Sequence, residues 1–593
     1  MSVLETPRIY FCGQTTFDPV TTNNYPRNYD EMGAQTVMTP DGAVQPFRDA
    51  AIADVTSNGN WNPHGTYRSR FFDTKVVGVD VGSGTSTQDE FVGAPVHFLG
   101  MLVDLEPYGS QSSQLFFDQI SFGIDGGCQV EANCSARMIA RQINFARNPT
   151  FSCIAGVASV VWQTSFPKGA SLPLYARGSQ AIAALSHALD DDDVLGLTVR
   201  WNAYRTVYYD DIDCRNGNPA MTQESSALQH KLRGGGFQPN PARSRVVGVL
   251  GLWRKGDAPQ VIGDRGLIQS ATQRIATASA RLASNALVVD LGNSIPETGP
   301  DLAKKDLGTL GIFAGDTQIA ALQPGDYDRA AYEQSAGIVT LPLSPASQQL
   351  AQTGDLSIRD AKGIVLLQES ALHVCEITPN VYLNQGDPAT LQVQVLSRGV
   401  SAPAGVAVHW VNTSTSSPTS ETTLTDTNGV AALSVAGASS NLVGQIDCYI
   451  ASTTTPPPTE VNTQQTAYLW VRTLPADDNV GRLSPTWESV YQNVLYNWHA
   501  MAPCMDNWLR LDDPKQVAAY ANVIRQLTDP ANFEKQRFMP VTRDLTAGQR
   551  TLLYAWLDSL KTDSPVPKAV LQKTAPRTPA EMSRAFRSGG LTP

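Results

Sequence analysis

Up to about residue 372 the chain alternates short apolar runs with polar turns. TKVVGVDVGSG, APVHFLGMLVDL, VLGLTVRW, RVVGVLGLW, ALVVDLG and AGIVTLPL are β-branched runs of strand length, several bounded by glycine. They predict a large β-rich domain over residues 1–372, built as one sheet system or two. Two interruptions, at 133–145 (NCSARMIARQINF) and 178–189 (GSQAIAALSHAL), space their apolar residues three and four apart and predict helical insertions.

From 376 to 475 the alternation becomes cleaner and charges thin out. ATLQVQVLS, VAVHWVNT, VAALSVAG, GQIDCYIAS and TAYLWVRTL read as the strands of an immunoglobulin-like β-sandwich. Within it Asp426 and Asn428-Gly429 are expected to close a hairpin. The TTTPPPTE run at 453–460 becomes a loop between the last two strands. Residues 480–562 turn helical. Ser484 is placed to cap PTWESVYQNVLYNWHAM, Asp512 or Asp513 to cap PKQVAAYANVIRQL, and Asp544 or Thr546 to cap AGQRTLLYAWLDSL. Residues 563–593 read as a flexible tail. The fold class is therefore mainly β with helical insertions: a large β-rich domain, a sandwich and a C-terminal helical segment.

Composition sharpens this. Charged residues are sparse at 17%, and 46 glycines with 38 prolines suit turn-rich β structure. A net charge of −11 argues against a nucleic-acid partner, which needs clustered Lys and Arg. No apolar run approaches the roughly 20 residues that span a bilayer, so no membrane role is expected. The start, MSVLETPRIYFCG, lacks a basic stretch followed by an apolar one, and the eight cysteines are scattered. Both features predict a cytoplasmic protein with reduced thiols.

The seven histidines are all far apart, which excludes a metal site built from histidines close in sequence. His64, in the aromatic-flanked loop NGNWNPHGTYRSRF, is the candidate haem or metal ligand, against the alternative of a loop histidine bonded to backbone. His373 and Cys375 alternate onto one strand face and form a soft-metal candidate. His97 reads as a buried or edge packing residue, and His499 as structural. The acidic run Asp190–Asp193 reads as a turn needing solvent, a cation or basic partners. YYDDIDCRNGN at 208–218 approaches a calcium-loop spacing, but Arg215 stands where an oxygen ligand is required. GSGTST at 82–87 and RGGGF at 233–237 lack the context of phosphate-binding loops.

Several stretches form an ordered series: PRIYFCG at 7–13, ALDDDDVLGLTVRW at 188–201, VVGVLGLWRKGD at 246–257, LGNSIPET at 291–298 and GIVTLPL at 337–343. VYQNVLYNWHAMAPCM at 490–505 and DPANFEKQRFMPVTRDLT at 529–546 complete it. The series resembles the amino-terminal half of the iminophenyl-pyruvate dimer (chromopyrrolate) synthases of the violacein and rebeccamycin pathways. That resemblance implies secondary metabolism: oxidative coupling of two amino-acid-derived imines, association with haem or iron, and similarity to catalases in some activities. In that family the region answering to FMPVTRDLT leads into a ferritin-like domain with Glu and Glu-x-x-His iron ligands. No Glu-x-x-His occurs here.

Three functions are consistent with these observations. The chain is an oxidative enzyme using haem or iron on an amino-acid-derived small molecule. Alternatively it is a non-catalytic scaffold for a ferritin-like partner protein, with self-association into a homo-oligomer left open. The third, an adhesion or carbohydrate-binding protein, rests on the sandwich alone and requires export.

Overall fold

Alternation over the first 254 residues closes a barrel. The computed structural model describes residues 3–21, 36–38, 44–46, 66–105, 111–144, 159–207, 242–270, 275–292, 294–297, 303–414, 420–437, 446–501 and 509–560. Eight strands make the barrel: Arg8–Thr21 (β1), Thr66–Asp80 (β2), Val96–Asp104 (β3), Ser113–Gly123 (β4), Met138–Asn144 (β5), Ser159–Pro167 (β6), Val194–Val207 (β7) and Ala242–Arg254 (β8). Each pairs antiparallel with its successor, and β8 pairs with β1, so the meander closes on itself. An eight-stranded barrel is just narrow enough for side chains to fill. Here aromatic rings do so. Trp201 stacks on Trp162 at 5.8 Å and meets Phe71 edge-on at 5.1 Å. Gly248 makes this packing feasible, because a Cβ there would lie 2.3 Å from the Phe11 ring and 2.7 Å from Trp201 Cβ.

The helix expected at 178–189 forms at Gln180–Ala188 (α1), capped by Ser179. The helix expected at 133–145 does not: Met138–Asn144 is strand β5. Gln142 adopts φ 49°, and the register with β6 shifts between Arg141 and Asn144. This bulge breaks the two-residue period. Met138 and Ala140 enter the barrel core two residues apart, as in a strand, and the bulge puts the next core residue, Ile143, three residues on, a spacing that mimics a helix.

A second antiparallel sheet follows. Its strands are Arg265–Gln269 (β9), Ala278–Ala283 (β10), Ala286–Asp290 (β11), Leu310–Ala314 (β12), Thr317–Leu322 (β13), Ile338–Pro342 (β14), Leu356–Arg359 (β15) and Val365–Glu369 (β16). They lie in the order β13-β12-β15-β16-β9-β10-β11-β14. Helix Arg329–Ser335 (α2) leads into β14. Tyr10, Cys12, Val247 and Val249 point out of the barrel from β1 and β8. They share one core with Val288 and Ile338 of the second sheet and with Tyr332 of α2. Both faces of β1 and β8 are therefore buried, which is why PRIYFCG and VVGVLGLW read as nearly unbroken apolar runs.

Beyond residue 372 two further sheets face each other. One holds His373–Glu376 (β17), Pro388–Ser397 (β19), Val400–Ser401 (β20) and Val430–Ala436 (β23). The other holds Asn380–Asn384 (β18), Ala407–Asn412 (β21), Ser420–Leu424 (β22), Ile446–Ser452 (β24) and Ala467–Leu474 (β25). Leu391, Val393 and Leu433 from the first meet Val408, Trp410 and Leu469 from the second in one core. The turn at 426–429 has the expected local form: Asp426 Oδ1 accepts from the N–H groups of Asn428 and Val430, and Gly429 has φ 75°. It does not close a hairpin, however. It carries the chain from β22 in one sheet to β23 in the other.

The last described segment is helical. Trp487–Val490, Tyr491–Leu495 and Tyr496–Met501 run on as one helix (α3), whose middle portion is a π-helix. Its cap is Thr486, not Ser484. Pro514–Ala519 (α4) is capped by Asp513, Ala521–Thr528 (α5) follows, and Ala547–Ser559 (α6) is capped by Thr546. Val494, Leu495, Leu552 and Trp556 anchor their shared core. Among the described residues no helix is long and apolar enough to cross a membrane. The expected tail at 563–593 lies outside the described residues.

Candidate functional site

Among the described residues, a network of buried charge lies where the barrel meets the second sheet. Arg200, on β7, donates to Asp290 Oδ2 at 2.9 Å and Asp264 Oδ2 at 3.2 Å, and its Nε donates to Gln163 at 2.8 Å. Arg281 bridges Asp264 Oδ1 at 3.0 Å and Glu5 Oε1 at 3.1 Å. Arg254 joins Glu5 Oε2 at 3.0 Å to Asp191 Oδ2 at 2.9 Å. The result is one alternating chain: Asp191, Arg254, Glu5, Arg281, Asp264, Arg200, Asp290. Side-chain exposure is 2% at Arg200 and zero at Asp264, so this pairing is held away from solvent. Removing one member of such a buried pair costs roughly 3–5 kcal/mol, because a charge is left behind. Beside it, Arg8 pairs with Asp80 at 2.5 Å and donates to Thr340 Oγ1 at 3.0 Å, a second tie between the layers.

Asp257 sits at the edge of this network. Gly256, with φ 84°, lets the chain reverse after β8, and the Arg254 N–H then donates to Asp257 Oδ2 at 3.0 Å. Burial pushes the Asp257 carboxyl up to about 7, and the charge of Asp264 adds to the rise. A carboxyl in that range takes up and releases a proton near neutral pH. It lines a cavity of about 10 Å³ with Val3, Gln163, Thr198, Arg200, Ala258, Val261 and Gly263. Such a space admits about one water molecule. The arrangement can exchange a proton with water, but it has no room for an organic substrate.

The residues singled out by sequence fall elsewhere. His64 lies outside the described residues, as do 208–218 and 233–237. His373 and Cys375 do come together: the imidazole Nε2 lies 3.4 Å and the thiol 3.5 Å from the Ile262 carbonyl oxygen. Burial holds the His373 imidazole below its ordinary value and the Cys375 thiol well above its own, so the sulfur keeps its proton. Among the described residues no group of three or more His, Cys, Asp and Glu side chains is arranged to hold a metal. His373 and Cys375 accordingly belong to no such group. His97 is exposed on β3, inside the barrel sheet rather than at its edge or buried, which corrects the packing role expected for it. The acidic run has basic partners: Arg254 for Asp191, and Lys255 for Asp193 at 3.4 Å.

No family model matches the sequence. Among curated proteins, the 2-imino-3-(indol-3-yl)propanoate dimerase of Chromobacterium violaceum is 22% identical over 98% of this chain and 60% of its own length. Dichlorochromopyrrolate synthase of Lentzea aerocolonigenes is 32% identical over 20% of this chain and 12% of its own. The chain resembles the iminophenyl-pyruvate dimer synthases. It spans 60% of the length of the dimerase. Among solved structures, Drosophila OTK extracellular domains 3-5 matches with a TM-score of 0.12 (11% identical, 35% of this chain, 68% of that one) and a Salmonella alpha-2-macroglobulin mutant with 0.13 (13%, 68% and 24%), too low to carry an argument.

The stretches that carry this resemblance converge in space. PRIYFCG, VLGLTVRW and VVGVLGLWRKGD form the adjacent strands β1, β7 and β8, while the described residues of LGNSIPET follow β11 and GIVTLPL lies on β14. Within them Arg200, Arg254, Arg8 and Glu297 supply the ion pairs of the junction. Buried Glu297 holds Lys304 at 2.5 Å, with the ammonium 3.4 Å from the Tyr332 ring centre. The later stretch, 529–546, is fixed to the barrel by Glu534, which accepts from the Arg137 side chain and from its N–H at 3.0 Å. Lys535 donates to the Cys134 carbonyl at 2.8 Å, and the Arg543 guanidinium lies 3.5 Å from the Phe116 ring centre. The sequence reading missed these roles. Arginines embedded in apolar strand runs were the signal that could have revealed them.

Proposed function

We propose that the chain acts in secondary metabolism as the scaffold portion of an imine-coupling system. In this reading it holds a ferritin-like oxidase unit, on this polypeptide or another, that couples two molecules of an amino-acid-derived imine. The supporting observation is that the segments shared with the dimer synthases converge on a junction whose charged groups pair with one another. Such residues hold layers together rather than face a substrate. The anchoring of 529–546 to the barrel supports the same reading, since in the resembling family that region precedes the iron-binding helices. Iron or haem chemistry belongs, in this proposal, to the oxidase unit.

The test is metal analysis and an absorption spectrum of the purified chain, followed by an imine made in situ from tryptophan. The chain alone is expected to hold far less than one iron or haem per molecule and to leave dimer yield at the uncatalysed level. Adding a ferritin-like protein purified as its complex with the chain should raise that yield. Stoichiometric haem or iron with dimer formation by the chain alone would overturn the scaffold reading in favour of an enzyme complete in itself.

A further inference from the structure

Helix α3 carries an arrangement that the scaffold role does not require. On a regular α-helix, residues eight apart sit about 80° away from a shared face. The π-helical turn at Tyr491–Leu495 accommodates an extra residue and removes roughly that offset. Tyr491 and His499 consequently share a face, and the Tyr491 hydroxyl lies 3.0 Å from His499 Nδ1. The turn is secured from α6: Gln549 Nε2 donates to the Asn493 carbonyl at 3.0 Å. Local π-helical turns of this kind occur frequently at functional sites.

The surroundings suit one-electron chemistry. Trp487 stacks on Tyr491 at 5.8 Å, and Trp556 of α6 lies 5.2 Å from Trp487. Tyr496 meets Tyr491 edge-on at 5.9 Å. Asp512 lies within electrostatic reach of His499, and Arg510 grips that carboxylate at 2.7 and 3.0 Å. Other phenols have different partners. Tyr332 donates to the Gly292 carbonyl, which cannot take a proton, and Tyr382 accepts from Gln114 at 2.8 Å. An imidazole whose Nδ1 is free of hydrogen can take the phenol's proton.

We propose that Tyr491 and His499 form a redox-active phenol–imidazole pair, with Trp487 and Trp556 extending it into an aromatic relay. A one-electron oxidant of the high-potential metal-complex class removes an electron from the Tyr491 ring. In the same event the O–H bond breaks and its proton passes to His499 Nδ1. A neutral tyrosyl radical remains beside an imidazolium, whose charge Asp512 offsets. Reduction returns the electron to the ring and the proton to the oxygen.

The experiment uses the full chain and photogenerated tris(bipyridine)ruthenium(III) as the oxidant, followed by transient absorption and freeze-quench electron paramagnetic resonance. It requires no iron unit, so its failure leaves the scaffold reading standing, and failure of that reading leaves this pair untouched. The expected result is a tyrosyl signal that Tyr491→Phe largely abolishes. His499→Ala should slow its formation roughly a hundredfold, as loss of a positioned base does, and added imidazole should partly restore the rate. A merely structural histidine would show no such rescue. Should either variant fail to fold, the unaltered chain in deuterated water remains decisive: slower radical formation supports the pair, and an unchanged rate overturns it. A tyrosyl signal retained in folded Tyr491→Phe, or an unchanged rate in folded His499→Ala, overturns it equally.

Discussion

Replacing Asp257 by Asn should make the protein more stable at pH 8 than at pH 5 relative to its parent. The folded-state carboxyl moves from 3.8 to about 7 because burial disfavours its charge. Below about pH 3.8 both folded and unfolded chains hold the proton, and the group has no effect on the balance. Between there and about 7 only the unfolded chain gives it up, so each rise in pH favours unfolding. Above about 7 the folded chain ionises too, and the cost stops growing. At about 1.36 kcal/mol for each pH unit, the cost is about 2 kcal/mol at pH 5 and about 4 kcal/mol at pH 8. The gain of Asp257→Asn over the parent should therefore widen by about 2–3 kcal/mol between those two conditions. That figure is a ceiling, because the carboxyl is half-buried and solvent screens part of its field.

Asparagine suits the test because its side-chain oxygen still accepts the Arg254 N–H while the ionisation disappears. Urea unfolding of parent and variant at both pH values, followed on the same transition, measures the difference directly. A gap that stays flat with pH would refute the assignment. A gap that moves the other way would mean that Asp257 is held as a carboxylate by Arg254 and Arg281, with its titration below the ordinary range.

Gly248→Ala should destabilise the barrel by about 1–3 kcal/mol, since the new methyl falls 2.3 Å from the Phe11 ring; thermal unfolding followed by tryptophan fluorescence checks this. Glu534→Ala should loosen residues 529–546 by about 1–3 kcal/mol, seen as faster amide exchange there, because the Arg137 N–H loses its acceptor. Thr546→Ala removes one half of a capping box, the Gln549 N–H donation to Thr546 Oγ1 at 3.2 Å, and leaves the other, the donation of its own N–H to Gln549 Oε1 at 3.1 Å. It should cost about 1 kcal/mol and speed exchange selectively in the first turn of α6.

Where the deciding interactions are local, the sequence could be read directly. The mainly β class, the helix at 180–188, the Asp513 and Thr546 caps and the Asp426 turn each depend on residues within a few positions of one another. Errors arose where a distant partner overrides the local pattern. At Met138–Asn144 a bulge, with strands paired on both sides, set Ala140 and Ile143 at a helix-like spacing of three residues. At Asp426 the turn was right, but the sheet each flanking strand joins is decided by partners elsewhere in the chain.

The same logic accounts for the site. Arg281 and Glu5 are 276 positions apart, and Arg254 and Glu5 are 249 apart, so no window of sequence contains the pairing. Only one member of each pair left a trace: an arginine within or closing an apolar strand run, where an unpaired cation would be too costly to bury. VLGLTVRW and VVGVLGLWRKGD therefore implied buried carboxylates at a distance, without naming them. His64, His373 and Cys375 drew attention because their side chains have chemistry of their own. Arg200 did not, because its importance lies in the acids it meets. Residue identity alone ranks the first kind of candidate above the second, although in this fold the second kind binds the barrel to the second sheet.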